Sequence, residues 1–482
     1  MNISRNVIIK SLFWKFFEKV GSQLVSFIIT ILLARLLMPE QYGIIALITV
    51  FINLCNIIID GGLNTALIQK KEADNIDFSS IFYFSIVVSV ILYVLLFITA
   101  PLIASFYDIP ILSDVIRVLA LNLPFYALNS VQRAYVSRKM LFDKLFYSSF
   151  ASVLISGLLG VLLAYNGAGI WALVVQSIAS NAIICVIMWY TINWRPSAIF
   201  SYTRFVQLFN YGWKIFLSNI IIVTFVELRK LLIGKLYLPS NLAYFERGEQ
   251  FPNLLMNNIF ASIQAVLLPT FADYQDDKNS VKSMMRRSTK LSCFIIYPLT
   301  IGLITVAEPL VRFLLTDKWI NVVPFIQILS ISNIFRPITL SNLEAIKALG
   351  YSNTVLRLET VKKVIDIIIL LISVKLGVLY IAWGVVIYNF ICIFINLAPT
   401  AKLLGYKISD QLLDTLPSLI LSIMMGVFVY LFTFLNISDE LLLILQIICG
   451  ALIYLILCKC FKDENLSYIH NLICDYIKKR KS

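Results

Sequence analysis

Arg35-Leu36-Leu37-Met38-Pro39 closes an apolar run that opens on Trp14-Lys15. The arrangement returns at mid-chain, where Trp213-Lys214 opens a run that closes on Lys235-Leu236-Tyr237-Leu238-Pro239. In each copy a base stands four residues before the proline and a tyrosine follows, Tyr42 in the first and Tyr244 in the second. The Trp-to-Pro spacing differs by one residue, 14 to 39 against 213 to 239. Internal repeats of this kind in an apolar chain predict two halves that rock against each other about a central site, a recurrent transporter plan.

The rest of the composition agrees with a membrane class. The 482 residues are 60% hydrophobic and only 14% charged, and the mean hydropathy is +0.87. Soluble domains carry about 25% charged residues. By length and hydropathy the chain divides into fourteen spans, near 12–37, 42–60, 80–106, 111–133, 146–165, 169–191, 209–235, 241–270, 288–315, 322–348, 354–374, 378–400, 412–434 and 439–459. The first run carries Lys15, Glu18 and Lys19 and lacks a small-residue cleavage site, so it reads as a span and not as a signal peptide. Pro101, Pro124, Pro252, Pro298 and Pro337 fall inside spans, where neighbouring helices re-satisfy the freed backbone groups.

Alternate loops are basic. One set holds Lys70 and Lys71, then Arg133, Arg138, Lys139 and Lys144, then Arg195 and Arg204, then Lys278, Lys282, Arg286 and Arg287, and finally Lys478-Lys479-Arg480-Lys481. The positive-inside bias places both termini in the cytoplasm and accounts for most of the net charge of +13. The loops on the other side are short, which excludes a catalytic domain outside the membrane; the longest connections are 192–208 and 271–287. In the tail, Ile469, Leu472, Ile473, Tyr476 and Ile477 share one helical face, and the following basic cluster predicts an interfacial helix on membrane lipid. Nucleic acid is not an expected partner.

Ionisable residues inside spans face a cavity or a partner, because each costs at least about 2.5–3.5 kcal/mol in lipid. The first span has Lys15, Glu18 and Lys19 on one stripe with Ser22 and Ser26. The seventh has Lys214, Ser218 and Arg229 on one face and Asn219, Glu227 and Lys230 on another. The eighth carries a seam of Glu246, Gln250, Asn253, Asn257 and Gln264 flanked by Arg247 and Glu249, and the eleventh carries Glu359, Lys362, Lys363 and Asp366. Arg117, Arg312 and Arg336 stand alone. These seams predict a hydrated central cavity. Its bases suit an anion, arginine as a bidentate fork and lysine as a point charge. The candidate substrate-binding residues are Lys15, Lys19, Arg117, Lys214, Arg229, Arg247, Arg336, Gln250, Asn253 and Asn257. The candidate ion-coupling acids are Glu18, Glu227, Glu246 and Glu249, with Asp60 weaker because it precedes the turn pair Gly61-Gly62. For every one of these the competing expectation is a structural pair or a side chain snorkelling to the interface, foremost for Lys10, Lys235 and Lys347 near span ends.

Eight cysteines are scattered through spans and tail, none in an outer loop, so neither a disulfide framework nor a metal site is expected. The single histidine, His470, is in the tail, which excludes a histidine-centred proton relay in the membrane. No G-x-x-x-x-G-K-[ST] stretch is present, so no nucleotide drives the protein and no cofactor is expected.

Longer stretches carry a family resemblance. Leu33-Ala34-Arg35-Leu36-Leu37-Met38-Pro39-Glu40-Gln41-Tyr42-Gly43 and Asp60-Gly61-Gly62-Leu63-Asn64-Thr65-Ala66-Leu67-Ile68-Gln69 resemble signatures of Wzx-type polysaccharide and O-antigen flippases. So do Ala100-Pro101-Leu102-Ile103-Ala104, Gln132-Arg133-Ala134-Tyr135 through Arg138, Gly169-Ile170-Trp171-Ala172-Leu173 and Trp194-Arg195-Pro196. Ile233-Gly234-Lys235 and Tyr244 through Arg247 continue the likeness. The resemblance is to the lipopolysaccharide and exopolysaccharide exporter branch of the multidrug/oligosaccharidyl-lipid/polysaccharide superfamily. It implies an all-α polytopic fold with two pseudo-symmetric six-helix bundles, residues 1–200 and 201–405, around a central cavity. Two extra spans over 406–460 and the basic tail 461–482 complete it. It also implies flipping of an undecaprenyl-pyrophosphate-linked oligosaccharide across the bacterial inner membrane by alternating access, driven by an H⁺ or Na⁺ gradient or by later polymerisation. Polysaccharide polymerase and chain-length proteins are the implied partners. The family often has Ala-Tyr-Gln in the eighth span, whereas this chain reads Glu246-Arg247-Gly248-Glu249-Gln250, a departure that bears on sugar selectivity and ion coupling. The same-fold alternative is an ion-coupled multidrug exporter, which would favour an acidic, aromatic cavity over this basic one. A membrane enzyme would need a large outer loop, and a scaffold gives no reason for charges inside spans.

Overall fold

The computed structural model describes residues 5–468, 471 and 474; for residues 5–20 it describes the backbone and only the side chain of Trp14. The tail residues of the expected interfacial helix, and the side chains of Lys15, Glu18 and Lys19, lie outside the described residues.

Helices follow one another with short breaks: α1 (Arg5–Leu36), α2 (Pro39–Asp60), α3 (Leu63–Gln69), α4 (Asn75–Tyr107), α5 (Ile111–Leu119), α6 (Asn122–Lys139), α7 (Phe142–Tyr165), α8 (Ile170–Thr191) and α9 (Tyr202–Leu236). Then come α10 (Pro239–Asp273), α11 (Lys278–Leu315), α12 (Val323–Ile334), α13 (Arg336–Ala348), α14 (Ser352–Ser373), α15 (Val378–Leu404), α16 (Ile408–Leu431) and α17 (Asp439–Cys460). No strand occurs among the described residues. That is the outcome lipid enforces, since a spanning segment must satisfy its backbone groups internally. Eleven spans among the described residues are long and apolar enough to cross a bilayer, with α5–α6 and α12–α13 each counted as one. The protein is a multi-pass membrane protein. α9 and α14 are also of spanning length but carry more charge.

The two copies of the repeated signature adopt the same local form. α1 ends at Leu36 and α2 starts on Pro39; α9 ends at Leu236 and α10 starts on Pro239. Proline suits the first turn of a helix, where its missing N–H has no intrahelical partner to lose.

The chain divides into two compact units, residues 1–243 and 244–482. In the first, α9 docks on α2 and α3, and glycines set the spacing. A Cβ at Gly234 of α9 would lie 2.7 Å from Leu47 of α2, and one at Gly43 would lie 1.7 Å from the carbonyl oxygen of Pro239, the first residue of α10. Gly62, at φ +70°, leaves its backbone against Gly212, whose oxygen would stand 2.2 Å from an added Cβ. Close backbone approach between small residues is how helices associate in lipid, where apolar surface alone gives no preference for another helix. At the start of α4, Asp74 accepts from the Asp77 N–H at 2.9 Å. Asp77, fully buried, pairs with Lys70 at 2.7 Å and with Arg204 of α9 at 3.7 Å. Arg138 closes the same end, donating to the Leu67 and Lys71 carbonyls at 2.7 Å each. In the second unit, Met256, Phe260 and Ile296 join α10 to α11, and Cys293, Tyr297, Ile338 and Leu397 join α11, α13 and α15.

Helices outrun the hydropathy limits on their charged sides. α11 starts at Lys278, whereas the apolar reading starts near 288, so most of the expected 271–287 connection is helix. Lysine, arginine and glutamine are good helix formers, so polarity ends the bilayer contact and not the helix. The fourth and tenth spans are each broken in mid-course, at 120–121 and at Phe335. Pro124 and Pro337 lie in the first turn after each break, while Pro101, Pro252 and Pro298 lie inside helices. Cys55, Cys185, Cys293, Cys392, Cys449, Cys458 and Cys460 are free thiols.

Candidate functional site

The second unit gathers most of the eighth-span seam. Gly248 brings α10 onto α12: a Cβ there would stand 2.3 Å from the Phe325 Cβ. Phe245 and Phe325 pack edge to face beside it, ring centroids 6.2 Å apart. This contact fixes the flanking charges. Arg247 donates to Gln250 Oε1 and faces the Trp319 ring at 5.9 Å. Glu246, Glu249, Gln250 and Asn253 are half-buried on the same helix, and Asn257 is exposed.

Arg336 lies opposite this seam, on the first residue of α13 at the break in the tenth span. Its guanidinium stacks on Phe260, 4.1 Å from the ring centroid. Nη1 donates to Asn333 Oδ1 at 3.3 Å and to Asn257 Oδ1 at 3.4 Å. Both partners are neutral and both bonds are long. Glu249 acts on Arg336 only through its charge. Nε and Nη2 have no protein acceptor, and no carboxylate pairs with Arg336, among the described residues. A guanidinium presents five N–H donors in a planar fork, so this one retains donors for an anion.

The first unit treats its interior charge differently. Glu227 of α9 has a side chain 7% exposed; Oε2 pairs with Lys230 at 3.1 Å. Its Oε1 accepts from Asn53 Nδ2 of α2 at 3.0 Å. Lys214 is exposed and Arg229 half-buried on α9. Arg117 of α5 stacks on Phe97 at 4.9 Å and lies 3.9 Å from Asp114. The second unit also holds paired charges: Arg312 is engaged by Glu308 at 3.0 Å and Asp317 at 2.5 Å. Lys235 pairs with Asp108 at 3.1 Å in the first unit, and Lys347 with the buried Glu344 at 2.8 Å in the second. Lys362 pairs with Glu359 at 2.5 Å rather than with Asp366. Gln264 leaves the seam to donate to Glu344 at 2.9 Å.

Of the sequence-based candidates, Asn257, Glu249 and Arg336 meet in the second unit, with Arg247 and Gln250 further along α10, while Arg117, Lys214, Arg229 and Glu227 lie in the first. Sequence reasoning missed Asn333, Phe260, Trp319 and Asn53. Asn333 stands three residues before Arg336, a spacing that sequence could have offered; the other three are set by packing alone.

Charged seams inside membrane-spanning helices mark substrate or ion pathways, proton relays or ligand counter-ions. The model describing the polysaccharide biosynthesis protein family matches residues 32–324, and the chain belongs to that family. The succinoglycan biosynthesis transport protein ExoT of Rhizobium meliloti (strain 1021) is 22% identical over 330 residues, 68% of this chain and 67% of that one. The teichuronic acid biosynthesis protein TuaB of Bacillus subtilis (strain 168) is 22% identical over 409 residues, 83% of this chain and 84% of that one. The lipopolysaccharide biosynthesis protein WzxC of Escherichia coli (strain K12) is 23% identical over 317 residues, 64% and 63% of the two chains. In fold, the chain is similar to the lipid II flippase MurJ in an inward closed conformation, with TM-score 0.72, 16% identity and coverage of 93% of this chain and 98% of that one. It is also similar to an inward-facing multidrug resistance MATE transporter of the MOP superfamily, with TM-score 0.59, 15% identity and coverage of 82% and 98%.

Proposed function

We propose that this protein flips a polyprenyl-pyrophosphate-linked oligosaccharide across the bacterial inner membrane for O-antigen, capsule or exopolysaccharide assembly. The observation that carries the reading is Arg336. It is a guanidinium at a helix break within a spanning segment, stacked on Phe260 and held only by neutral oxygens. Such a group is stable in the membrane when it meets water, a partner or an anion, and a pyrophosphate supplies the bidentate oxygens that its fork fits. Asn257 of the α10 seam bonds to it, and Glu249 of the same seam reaches it through charge. The polysaccharide biosynthesis relatives supply the substrate class, and the lipid II flippase supplies a precedent for a lipid-linked cargo on this fold.

The finer architecture belongs to the same proposal. With α1, α9 and α14 added to the eleven apolar spans the rods number fourteen, which keeps both termini on the cytoplasmic side. Residues 1–200 and 201–405 form the two repeated bundles, and α16 and α17 are additions. α9 opens the second bundle by sequence yet packs on the first compact unit, so repeat and packing divide the chain at different places. Among the acids, Glu249 is better placed for H⁺ or Na⁺ coupling than Glu227, which Lys230 and Asn53 already hold; Glu246 stays a candidate on the same helix. Polymerase and chain-length proteins remain the proposed partners.

The test is mass spectrometry of undecaprenyl-linked lipids in a strain lacking the gene. Accumulation of one pyrophosphate-linked oligosaccharide, reversed by the intact gene and not by Arg336→Ala, supports the reading. An unchanged lipid pool with confirmed precursor synthesis overturns it in favour of the drug-exporter alternative, to be followed by organic-cation efflux.

A further inference from the structure

A second candidate site lies wholly inside the first unit and shares no residue with that of Arg336. A cavity of about 170 Å³ is lined by Asn64 of α3, Tyr126, Asn129, Arg133 and Ser137 of α6, and Asn181 of α8. Its walls are tied across helices. Asn181 Nδ2 donates to Asn122 Oδ1 at 2.9 Å, and Asn122 Nδ2 donates to Ser177 Oγ at 3.0 Å. Asn129 donates to the Asn181 carbonyl at 3.1 Å. Asn129 is 98% buried, and its Oδ1 has no hydrogen-bond partner among the described residues. Asn64 donates to Asp60, and Tyr126 feels the charges of both Asp60 and Arg133.

The lining decides between ligand classes. One base with one acid nearby gives no surplus positive charge, which disfavours a phosphate group. No group of three or more His, Cys, Asp or Glu able to hold a metal occurs among the described residues. Side-chain amides and hydroxyls both donate and accept, which matches the hydroxyl groups of a sugar. The volume is below the roughly 300–1,000 Å³ of drug-sized sites, so it takes one ring and not a chain. Arg138, which pins Leu67 and Lys71, belongs to the same end of α6 as Arg133, the end that the charge bias places at the cytoplasm. Lipid-linked sugars flipped outward arrive from that side.

We propose that this cavity is a sugar subsite that holds one ring of the oligosaccharide as it enters, giving the first unit a part in selectivity that is separate from pyrophosphate capture. The proposal rests on the flippase reading.

The experiment uses the purified full-length protein in nanodiscs and two probes. One is undecaprenyl pyrophosphate without sugar; the other is the lipid-linked oligosaccharide pool extracted from the strain lacking the gene. Affinities are measured by native mass spectrometry, with ligand-free melting as the folding control. The intact protein is expected to prefer the sugar-bearing lipid. Tyr126→Phe, Asn64→Ala and Arg133→Gln are each expected to reduce that preference about threefold to tenfold, the size of one lost hydrogen bond, with binding of the bare pyrophosphate lipid unchanged. If all three variants keep the full preference, or lose affinity for both lipids equally, the sugar subsite is overturned while the flippase reading stands. If the intact protein binds neither lipid, the flippase reading fails and takes this proposal with it.

Discussion

Glu227 in the first unit and Arg336 in the second are both charges in membrane-spanning helices, and their surroundings are opposite. Glu227 is closed by a lysine at 3.1 Å and an asparagine at 3.0 Å. Arg336 has two neutral oxygens beyond 3.2 Å and an aromatic face. The first arrangement repays its own burial and joins α9 to α2. The second leaves donors uncommitted. The contrast separates charges that build the protein from charges that await a ligand, a distinction that counting ionisable residues in spans does not make.

That distinction can be broken experimentally. The largest effect is expected at the α3–α9 seam of the first unit. Gly62→Ala adds a Cβ at φ +70° and 2.2 Å from the Gly212 oxygen, so folded yield by fluorescence size-exclusion chromatography should collapse; normal yield would mean that the α3–α9 contact is dispensable. Glu227→Ala comes next. Removing one partner of a buried pair costs about 3–5 kcal/mol, so the melting temperature in detergent should fall, and Glu227→Gln with Lys230→Gln should recover most of it. Arg336→Ala should instead leave melting nearly unchanged and lower export about tenfold or more, the weight of a charge-assisted hydrogen bond, read as accumulated lipid-linked precursor. Arg336→Lys should restore charge but not the fork, and rescue only in part. If Arg336→Ala melts like Glu227→Ala, the contrast is lost. A small effect is expected at Lys235→Ala: its partner Asp108 is 82% exposed, and such pairs are worth about 0–1 kcal/mol. The smallest is a pH effect at Asp74, whose carboxyl is held below the usual range by the Asp77 N–H and by Arg204. A depressed folded value stabilises above the unfolded value of about 3.9 and is lost as pH falls through the folded one. Melting should therefore drop on acidification below that range, and Asp74→Asn should flatten the drop.

How much of this was legible in the sequence depended on distance along the chain. The helix break before Pro39 and Pro239 was legible because base, proline and tyrosine stand within a few residues of one another. The polar seam of α10 was legible because helical periodicity aligns Glu246, Gln250, Asn253 and Asn257 on one side. Asn53 was not, because its partner Glu227 lies 174 positions away and an asparagine in a span has no periodic sign of what it meets. Gly43 read as the end of a motif, and only the packing of Pro239 on it explains the missing side chain. The start of α11 was missed because hydropathy follows the bilayer, whereas the helix continues through Lys278 to Arg287. The cavity on α6 was missed because its asparagines and serines are short and uncharged, and so look like ordinary helix-packing residues.

The long separation of Asn53 and Glu227 also sets a timetable. Synthesis runs at about 5–20 residues per second, so the 174 positions between them correspond to a wait of roughly 10–35 s. Throughout that interval α2 is already made and its Asn53 face has no α9 to receive. The first unit is thus completed by a helix that arrives late, and the nascent chain must keep that face occupied by lipid, by its own earlier helices or by the insertion machinery until residue 236 has emerged.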